Sequence, residues 1–177
     1  MKKNQTLFLQ LCLSDAFIAL MKTQSYDTIT IQSICDKAGV GRTTFYRYFN
    51  SKNGKENLII FKIIHLHTMY KETHKEEIKQ DGGLAFLHFI YENRFLFRIL
   101  YQQKQILTIM KVFEDITNEE WPQDKSISYL KSFFIYAYFG VIYQWMKYDF
   151  DETPSQIQQH IANTLITAIQ NQTQNKK

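Results

Sequence analysis

Residues 39–49 read GVGRTTFYRYF: two glycines flank a valine, and a short segment of basic, hydroxyl-bearing and aromatic side chains follows. On a helix that turns by about 100° per residue, Phe45 and Phe49 fall on the same side and can anchor the helix to a core. Thr43 and Arg47 project nearly opposite, and the other polar side chains flank that outer side. The set of outward or bordering positions is Arg42, Thr43, Thr44, Tyr46, Arg47 and Tyr48.

The residues before this segment carry the signals of another short helix. Thr30 can act as the N-cap of IQSICDKAG, and Gly39 can adopt the left-handed conformation that ends a helix. The N-terminal capping box is imperfect, because Ser33 stands where glutamate or glutamine ordinarily reaches back. Gly41 can be the N-cap of the next helix, without a capping side chain. A helix, a short glycine turn and a second helix form the helix-turn-helix pattern.

The outer side of residues 42–48 carries groups that match the acceptors of nucleic acids. Arginine hydrogen-bonds guanine in bidentate fashion, and threonine donates to bases or contacts the thymine methyl group. Phosphate oxygens accept hydrogen bonds from both side chains. Because the major groove of duplex DNA is wide enough for one helix, this segment predicts a helix that contacts DNA.

The composition is that of a globular helical protein. The chain has 177 residues, 45% hydrophobic and 21% charged, which is enough to bury a core in one or two domains. With two prolines, six glycines and no alternating apolar pattern, we expect an all-α fold. Cys12 and Cys35 indicate reduced thiols in a cytoplasmic protein, and the N-terminus lacks the cleavage pattern of a signal peptide.

Basic charge is concentrated in the first third of the chain. Residues 1–55 contain eight Lys and Arg against three Asp and Glu, whereas residues 56–177 contain thirteen against fourteen. A small basic module on a neutral body favours a polyanionic partner for that module.

Helical periodicity predicts six helices besides the two short ones. They are expected at about residues 4–23, 58–80, 84–102, 104–118 and 126–150, and from 154 onward. DGG at 81–83 and WPQD at 121–124 act as stops between them. The last helix begins with Thr153 as N-cap, Pro154 at the first position and Gln156 completing a Thr-x-x-Gln box.

The stretch TIQSICDKAGVGRTTFYRYF, residues 30–49, resembles the helix-turn-helix of TetR/AcrR-type bacterial transcription regulators. Their pattern is T-[IV]-x-x-I-x-x-x-A-G-V-[ST]-x-x-[TS]-[LF]-Y-x-[HY]-F, followed by K-x-x-L. The resemblance implies an N-terminal three-helix DNA-binding domain (1–57) and a helical ligand-sensing and dimerisation domain (58–177). Later segments, ENRFLFRIL and FFIYAYFGVIYQWMKYDFDETPSQIQ, resemble the C-terminal domain of members similar to dihydroxyacetone-kinase regulators.

The same resemblance implies DNA contacts by matched position. Arg42, Thr43 and Tyr46 match positions that meet bases or nearby phosphates. Thr44 and Tyr48 match phosphate contacts, and Gln32 matches a position that reaches a base. Lys55 matches the phosphate-contacting lysine before the next leucine, with Lys52 as the alternative. Arg47 is included from the helix geometry, because the family pattern leaves its position variable. The predicted DNA-binding set is Thr30, Gln32, Arg42, Thr43, Thr44, Tyr46, Arg47, Tyr48, Lys52 and Lys55.

Residues 132–146 are apolar or aromatic around nearly the whole helix circumference. Such a helix must be covered on all sides, yet the run is shorter than the roughly 20 residues that span a bilayer. We expect this helix and the last one to form a four-helix homodimer interface, as the resemblance also implies; the alternative is burial within one subunit. The predicted interface residues are Phe139, Ile142, Tyr143, Met146, Ile157, Ile161, Leu165 and Ile169.

Twenty of the 27 aromatic residues lie beyond residue 55. Some of them can line a pocket for a small apolar or aromatic effector, with ordinary core packing as the alternative. The candidate pocket residues are Phe61, His65, Phe86, Phe89, Tyr101, Phe133 and Tyr136. No histidine pair has the spacing of a metal site, so we expect neither a metal nor a cofactor.

Together these features predict a cytoplasmic, nucleoid-associated DNA-binding regulator. The specific form expected is a dimeric repressor that binds a palindromic operator and is released by an effector. The alternative is a helical adaptor that binds a partner protein in place of a small molecule. An enzyme is not expected, because the sequence has no phosphate-binding glycine loop, nucleophile motif or metal cluster.

Overall fold

The computed structural model describes the backbone of residues 2–49, 52–118 and 124–174, and the side chains of residues 4–49, 52–116 and 124–164. Within these ranges the chain forms ten α-helices and no strand, which confirms the predicted all-α class. The helices are α1 (Lys2–Met21), α2 (Ile31–Ala38), α3 (Arg42–Tyr48), α4 (Gly54–Thr73), α5 (Lys75–Gln80), α6 (Gly82–Glu92), α7 (Arg94–Gln102), α8 (Ile106–Asn118), α9 (Lys125–Lys147) and α10 (Pro154–Gln174).

Two long helices expected from periodicity are each divided in the structure. The expected helix 58–80 begins earlier, at Gly54, and ends at Thr73 before the short α5. The expected helix 84–102 is interrupted at Asn93, whose side-chain amide donates to the Phe89 carbonyl at 2.8 Å. Periodicity missed both breaks, because apolar spacing continues through them and the interruption is made by local polar contacts.

The caps of the helix-turn-helix follow the sequence except at one point. Gly39 has φ of +68° and ends α2, as predicted, and Gly41 precedes α3 without a side-chain cap. The capping box that the sequence shows as imperfect has both of its hydrogen bonds. The Ser33 amide donates to Thr30 Oγ1 at 3.0 Å, and Ser33 Oγ accepts from the Thr30 amide at 3.1 Å. A serine hydroxyl is therefore long enough to close this box.

The start of α10 matches its prediction. The backbone N–H of Thr153 donates to Gln156 Oε1 at 2.8 Å, and the backbone N–H of Gln156 donates to Thr153 Oγ1 at 3.4 Å. Pro154 occupies the first helical position, where no backbone donor is needed.

One hydrophobic cluster runs through the molecule. In its first part, α1 packs on α2 and α4, and it buries Leu13, Phe17 and Met21. In its second part, α4 packs on α8, α9 on α7 and α8, and α10 on α6. Segment Asn4–Met21 is apolar and long enough to cross a membrane by length and composition alone, as core helices also are. In this fold its buried residues pack against α2 and α4.

Candidate nucleic-acid interface

The inner side of α3 is anchored as the spacing of Phe45 and Phe49 predicted. Phe45 is fully buried and Phe49 is nearly so. Their ring centroids are 5.8 Å apart, and Phe49 contacts Phe61 of α4 at 5.9 Å between centroids. Burial of two phenylalanines fixes the rotation of α3 about its axis, since these side chains have no other place to pack.

The outer side of α3 is open to solvent. Tyr46 is 51% exposed, and Arg42, Thr43 and Arg47 are exposed as well. Thr44 and Tyr48 are partly buried, and the Tyr48 hydroxyl lies 3.5 Å from Thr6 Oγ1 of α1. The most exposed of these side chains combine two guanidinium groups with two hydroxyl groups. This is a donor-rich surface suited to phosphates and base edges.

The start of α2 lies next to α3 in the same unit. Thr30 and Gln32 are exposed, but both have intramolecular partners. The Thr30 hydroxyl completes the capping box, and Gln32 Nε2 donates to Asp36 Oδ1 at 2.6 Å. A base contact by Gln32 therefore requires exchange of that hydrogen bond. Thr30 supports the helix that carries Gln32.

Lys55 has a different environment from the one predicted. Its ammonium group donates to the carbonyl oxygens of Tyr26 at 2.7 Å and Ile29 at 3.2 Å, and it lies 4.4 Å from the centre of the Tyr26 ring. Burial lowers the pKa of Lys55, while nearby Asp27 opposes that shift. This ammonium is held by the backbone before α2, and the phosphate contact predicted for Lys55 stays a prediction. Lys52 is exposed at the other candidate position.

Gly54 was not identified from the sequence as part of this site. It lies at the first position of α4, and an added Cβ would meet Phe45 Cζ at 2.7 Å and Cε1 at 2.8 Å. Because contacts this short do not occur, only glycine lets α4 approach the anchor of α3 so closely. In the sequence prediction, Gly54 lies before the helix expected at 58–80.

A second feature lies in the C-terminal part, among α4, α5, α6, α8 and α9. It is a cavity of about 510 Å³ with a mainly apolar wall. The polar groups at its wall include His67, Lys71 and Lys131. The remaining lining residues are Tyr70, Ile78, Gly82, Gly83, Ala85, Phe86, Phe89, Phe113, Ile116, Phe134, Ile135 and Tyr138.

A polar network lies next to the cavity and includes one of its lining residues, Tyr70. The Tyr70 hydroxyl donates to Glu77 Oε2 at 2.9 Å, and Glu77 also pairs with His88. The hydrogen bond from His88 holds the pKa of Glu77 below its ordinary value, despite partial burial. Burial, together with Glu77, raises the pKa of Tyr70. The network joins α4, α5 and α6 at the position where periodicity predicted an unbroken helix.

Two of the seven predicted pocket residues, Phe86 and Phe89, line this cavity. The other five do not line this cavity. Phe61 contacts Phe49 and stacks on His65, and Tyr101 contacts Tyr143. Phe133 is 62% exposed, and the exposed Tyr136 donates its hydroxyl to Glu114.

The residues predicted for a dimer interface divide in a similar way. Ile142, Met146 and Ile157 are buried within the subunit. Phe139, Tyr143 and Ile161 are partly buried, and the side chains of Leu165 and Ile169 lie outside the described residues. A neighbouring surface of α9 is exposed instead. This α9 apolar face consists of Tyr129, Leu130, Phe133, Phe134 and Tyr136.

Two family models match the chain, and they cover the two parts just described. The model for bacterial regulatory proteins of the tetR family matches residues 13–54, which include α2 and α3. The model for a transcriptional regulator C-terminal region matches residues 77–167, about half of the chain. No curated protein matches the chain. The finer resemblance to dihydroxyacetone-kinase regulators stays a prediction. The chain belongs to the TetR family and is a helix-turn-helix, DNA-binding transcriptional regulator.

Proposed function

We propose that this regulator is a dimeric repressor that binds a palindromic operator and is released by a small effector. The observation that carries the proposal is α3 itself, anchored by Phe45 and Phe49 and exposing Arg42, Thr43 and Tyr46. We further propose that the protein acts in the bacterial cytoplasm on nucleoid DNA. The proposal assigns no catalytic step, and domains of this family are in general non-enzymatic.

We divide the chain at about residue 57, with DNA binding in 1–57 and regulation and dimerisation in 58–177. In the first part, we assign base or phosphate contacts to the exposed side chains of α3 and to Gln32. Lys52 is the proposed phosphate contact before α4, because the Lys55 ammonium already serves two backbone carbonyls.

The homodimer is supported by the α9 apolar face. Five large apolar or aromatic side chains are exposed on one side of a single helix, which a soluble monomer rarely leaves uncovered. A two-fold axis along this face buries each copy against the other. A dimer of this kind presents two α3 helices to successive major grooves, about 34–36 Å apart.

Release by an effector is supported by the position of the cavity. Its wall includes His67, Tyr70 and Lys71 of α4, the helix whose other end holds Gly54 and Lys55 against the DNA-binding part. A ligand that shifts α4 thereby changes the angle of α3. The apolar wall, rich in phenylalanine, favours a small apolar or aromatic compound.

The test is enrichment of DNA by the purified full chain. Sheared genomic fragments are selected at moderate salt, and the proposal expects an inverted repeat whose half-site centres are one helical turn apart. Affinity is expected to fall steeply with salt, by roughly 0.9 log unit per log unit of salt for each phosphate contacted. Recovery of a partner protein, with no fragment enriched, contradicts the proposal and favours the adaptor.

A further inference from the structure

The loop between α1 and α2, residues 22–30, leads directly into the helix-turn-helix and is held by a side chain from far along the chain. Gln103 Oε1 accepts a hydrogen bond from the Tyr26 amide at 2.8 Å. Gln103 Nε2 donates to the carbonyls of Met21 at 2.8 Å and Gln24 at 3.0 Å. One primary amide thus satisfies three backbone groups at the end of α1 and in the loop. The sequence gives no local signal for this contact.

The residue that makes these bonds is itself rigidly placed. Gln103 directly follows α7, and its backbone N–H donates to the Ile99 carbonyl at 2.9 Å. Lys104 has φ of +59°, and the Gln105 amide returns to the Leu100 carbonyl at 2.8 Å. This is a helix end closed by a left-handed residue. Phe97, on the inner side of α7, is fully buried. The side-chain amide of Gln103 therefore projects from a fixed part of the C-terminal core.

The opposite side of the same loop is held by α4. Lys55 Nζ donates to the carbonyls of Tyr26 and Ile29, and the Tyr26 ring contacts Phe17 of α1 at 5.7 Å between centroids. The backbone of Tyr26 is therefore held at its N–H by Gln103 and at its carbonyl by Lys55. Two elements from outside the helix-turn-helix determine where the chain enters α2.

Building on the DNA-binding function proposed above, we propose that Gln103 is a positioning residue for DNA binding. Its amide fixes the loop 22–30 and thereby the orientation of α2 and α3 relative to the C-terminal core. A dimer must hold two α3 helices at one spacing, so a loosened loop lowers the fraction of molecules that fit a duplex. Affinity falls with that fraction, although no DNA contact is removed.

Two variants test this role in the full-length protein. Gln103→Glu keeps the size and the acceptor for Tyr26, but it points a carboxylate oxygen at the carbonyls of Met21 and Gln24. Gln103→Ala removes all three hydrogen bonds. Gln102→Glu and Gln102→Ala are the matched controls, because Gln102 is the exposed neighbouring glutamine. Gln102→Glu introduces the same change of charge as Gln103→Glu. The probe is a 30-base-pair duplex enriched by the wild-type protein from a random pool.

Amide hydrogen exchange and salt-dependent binding are measured on each variant. We expect exchange in residues 22–30 to accelerate at least tenfold in both Gln103 variants, while residues 58–63 stay protected. We expect affinity for the duplex to fall about tenfold with an unchanged salt slope, because the number of phosphate contacts is the same. Both Gln102 controls should behave like wild type.

The outcomes separate this role from a structural one and from failure of the proposed function. Wild-type affinity in Gln103→Glu, or unchanged exchange in the loop, overturns the positioning role alone. Loss of protection at residues 58–63 in both variants also overturns it, because the effect is then general unfolding. If the wild-type protein enriches no duplex at all, the proposed function fails and the positioning role with it.

Discussion

The helices α3 and α9 both expose aromatic side chains, but their surroundings differ. On α3, exposed Tyr46 stands among Arg42, Thr43 and Arg47. On α9, exposed Phe133 lies among other apolar and aromatic residues. The hydroxyl group of Tyr136, one turn away, donates to Glu114.

This comparison teaches that an exposed aromatic ring does not by itself identify a partner. The neighbouring groups identify it. Cations and hydroxyls around a ring favour phosphates and base edges, whereas a continuous apolar surface favours a second protein surface. The two helices therefore predict different consequences when their exposed side chains are removed.

The largest effect is expected for Arg42→Ala combined with Tyr46→Ala. Both side chains are exposed, so the thermal midpoint should change little, while affinity for an enriched duplex should fall on the order of 100-fold or more. The matched control is Lys147→Ala with Tyr148→Ala, which removes a cation and an exposed tyrosine at the end of α9. Fluorescence anisotropy at fixed salt measures the duplex affinity of both double variants. Equal losses of affinity would contradict the assignment of DNA contacts to α3.

The next effect concerns the α9 apolar face. Phe133→Glu places a charge where a partner copy is proposed to bury the ring, which should weaken self-association on the order of 100-fold. Leu107→Glu is the control, because Leu107 is an exposed apolar residue on α8. Sedimentation at micromolar concentration should find monomers for Phe133→Glu and dimers for the control. Dimers in both variants place the interface elsewhere.

A smaller effect is expected at the contact between α4 and α3. Gly54→Ala forces a Cβ against the buried Phe45 ring, and we expect it to cost about 1–3 kcal/mol in the free energy of unfolding. Gly82→Ala is the control, because nothing lies within 4 Å of a Cβ at that position. Denaturant titration measures both variants. If Gly54→Ala is as stable as the control, the close approach does not constrain α3.

The smallest effect distinguishes the two lysines before and in α4. Lys52→Ala should reduce the salt slope of duplex binding by about one, with little change in stability. Lys55→Met should leave that slope unchanged and lower stability by about 1 kcal/mol, because the Tyr26 and Ile29 carbonyls lose a donor. The opposite pattern would restore Lys55 as the phosphate contact.

The sequence predicted the helix-turn-helix better than the rest because its signals are local. Thr30, Gly39 and Gly41 mark the ends of α2 and the start of α3, and the spacing of Phe45 and Phe49 sets which side faces inward. These features depend on neighbours within a few residues, so a single sequence contains them.

The C-terminal part was predicted less completely, because apolar spacing does not distinguish a core from a face that a partner covers. Phe133 was expected in a pocket and is exposed, whereas Ile142 was expected at an interface and is buried. The backbone contacts of Lys55 were missed for a related reason. Its partners, Tyr26 and Ile29, lie more than 25 residues away, so no local pattern reveals them.

The most direct test of the account is site-specific photocrosslinking to an enriched duplex. A benzophenone amino acid replaces Tyr46 in one protein and Tyr148 in another, since both tyrosines are exposed and lie on different helices. The account predicts crosslinks to bases in the major groove from position 46 and none from position 148. Crosslinks from position 148, with none from position 46, would contradict the assignment of α3 as the DNA-contacting helix.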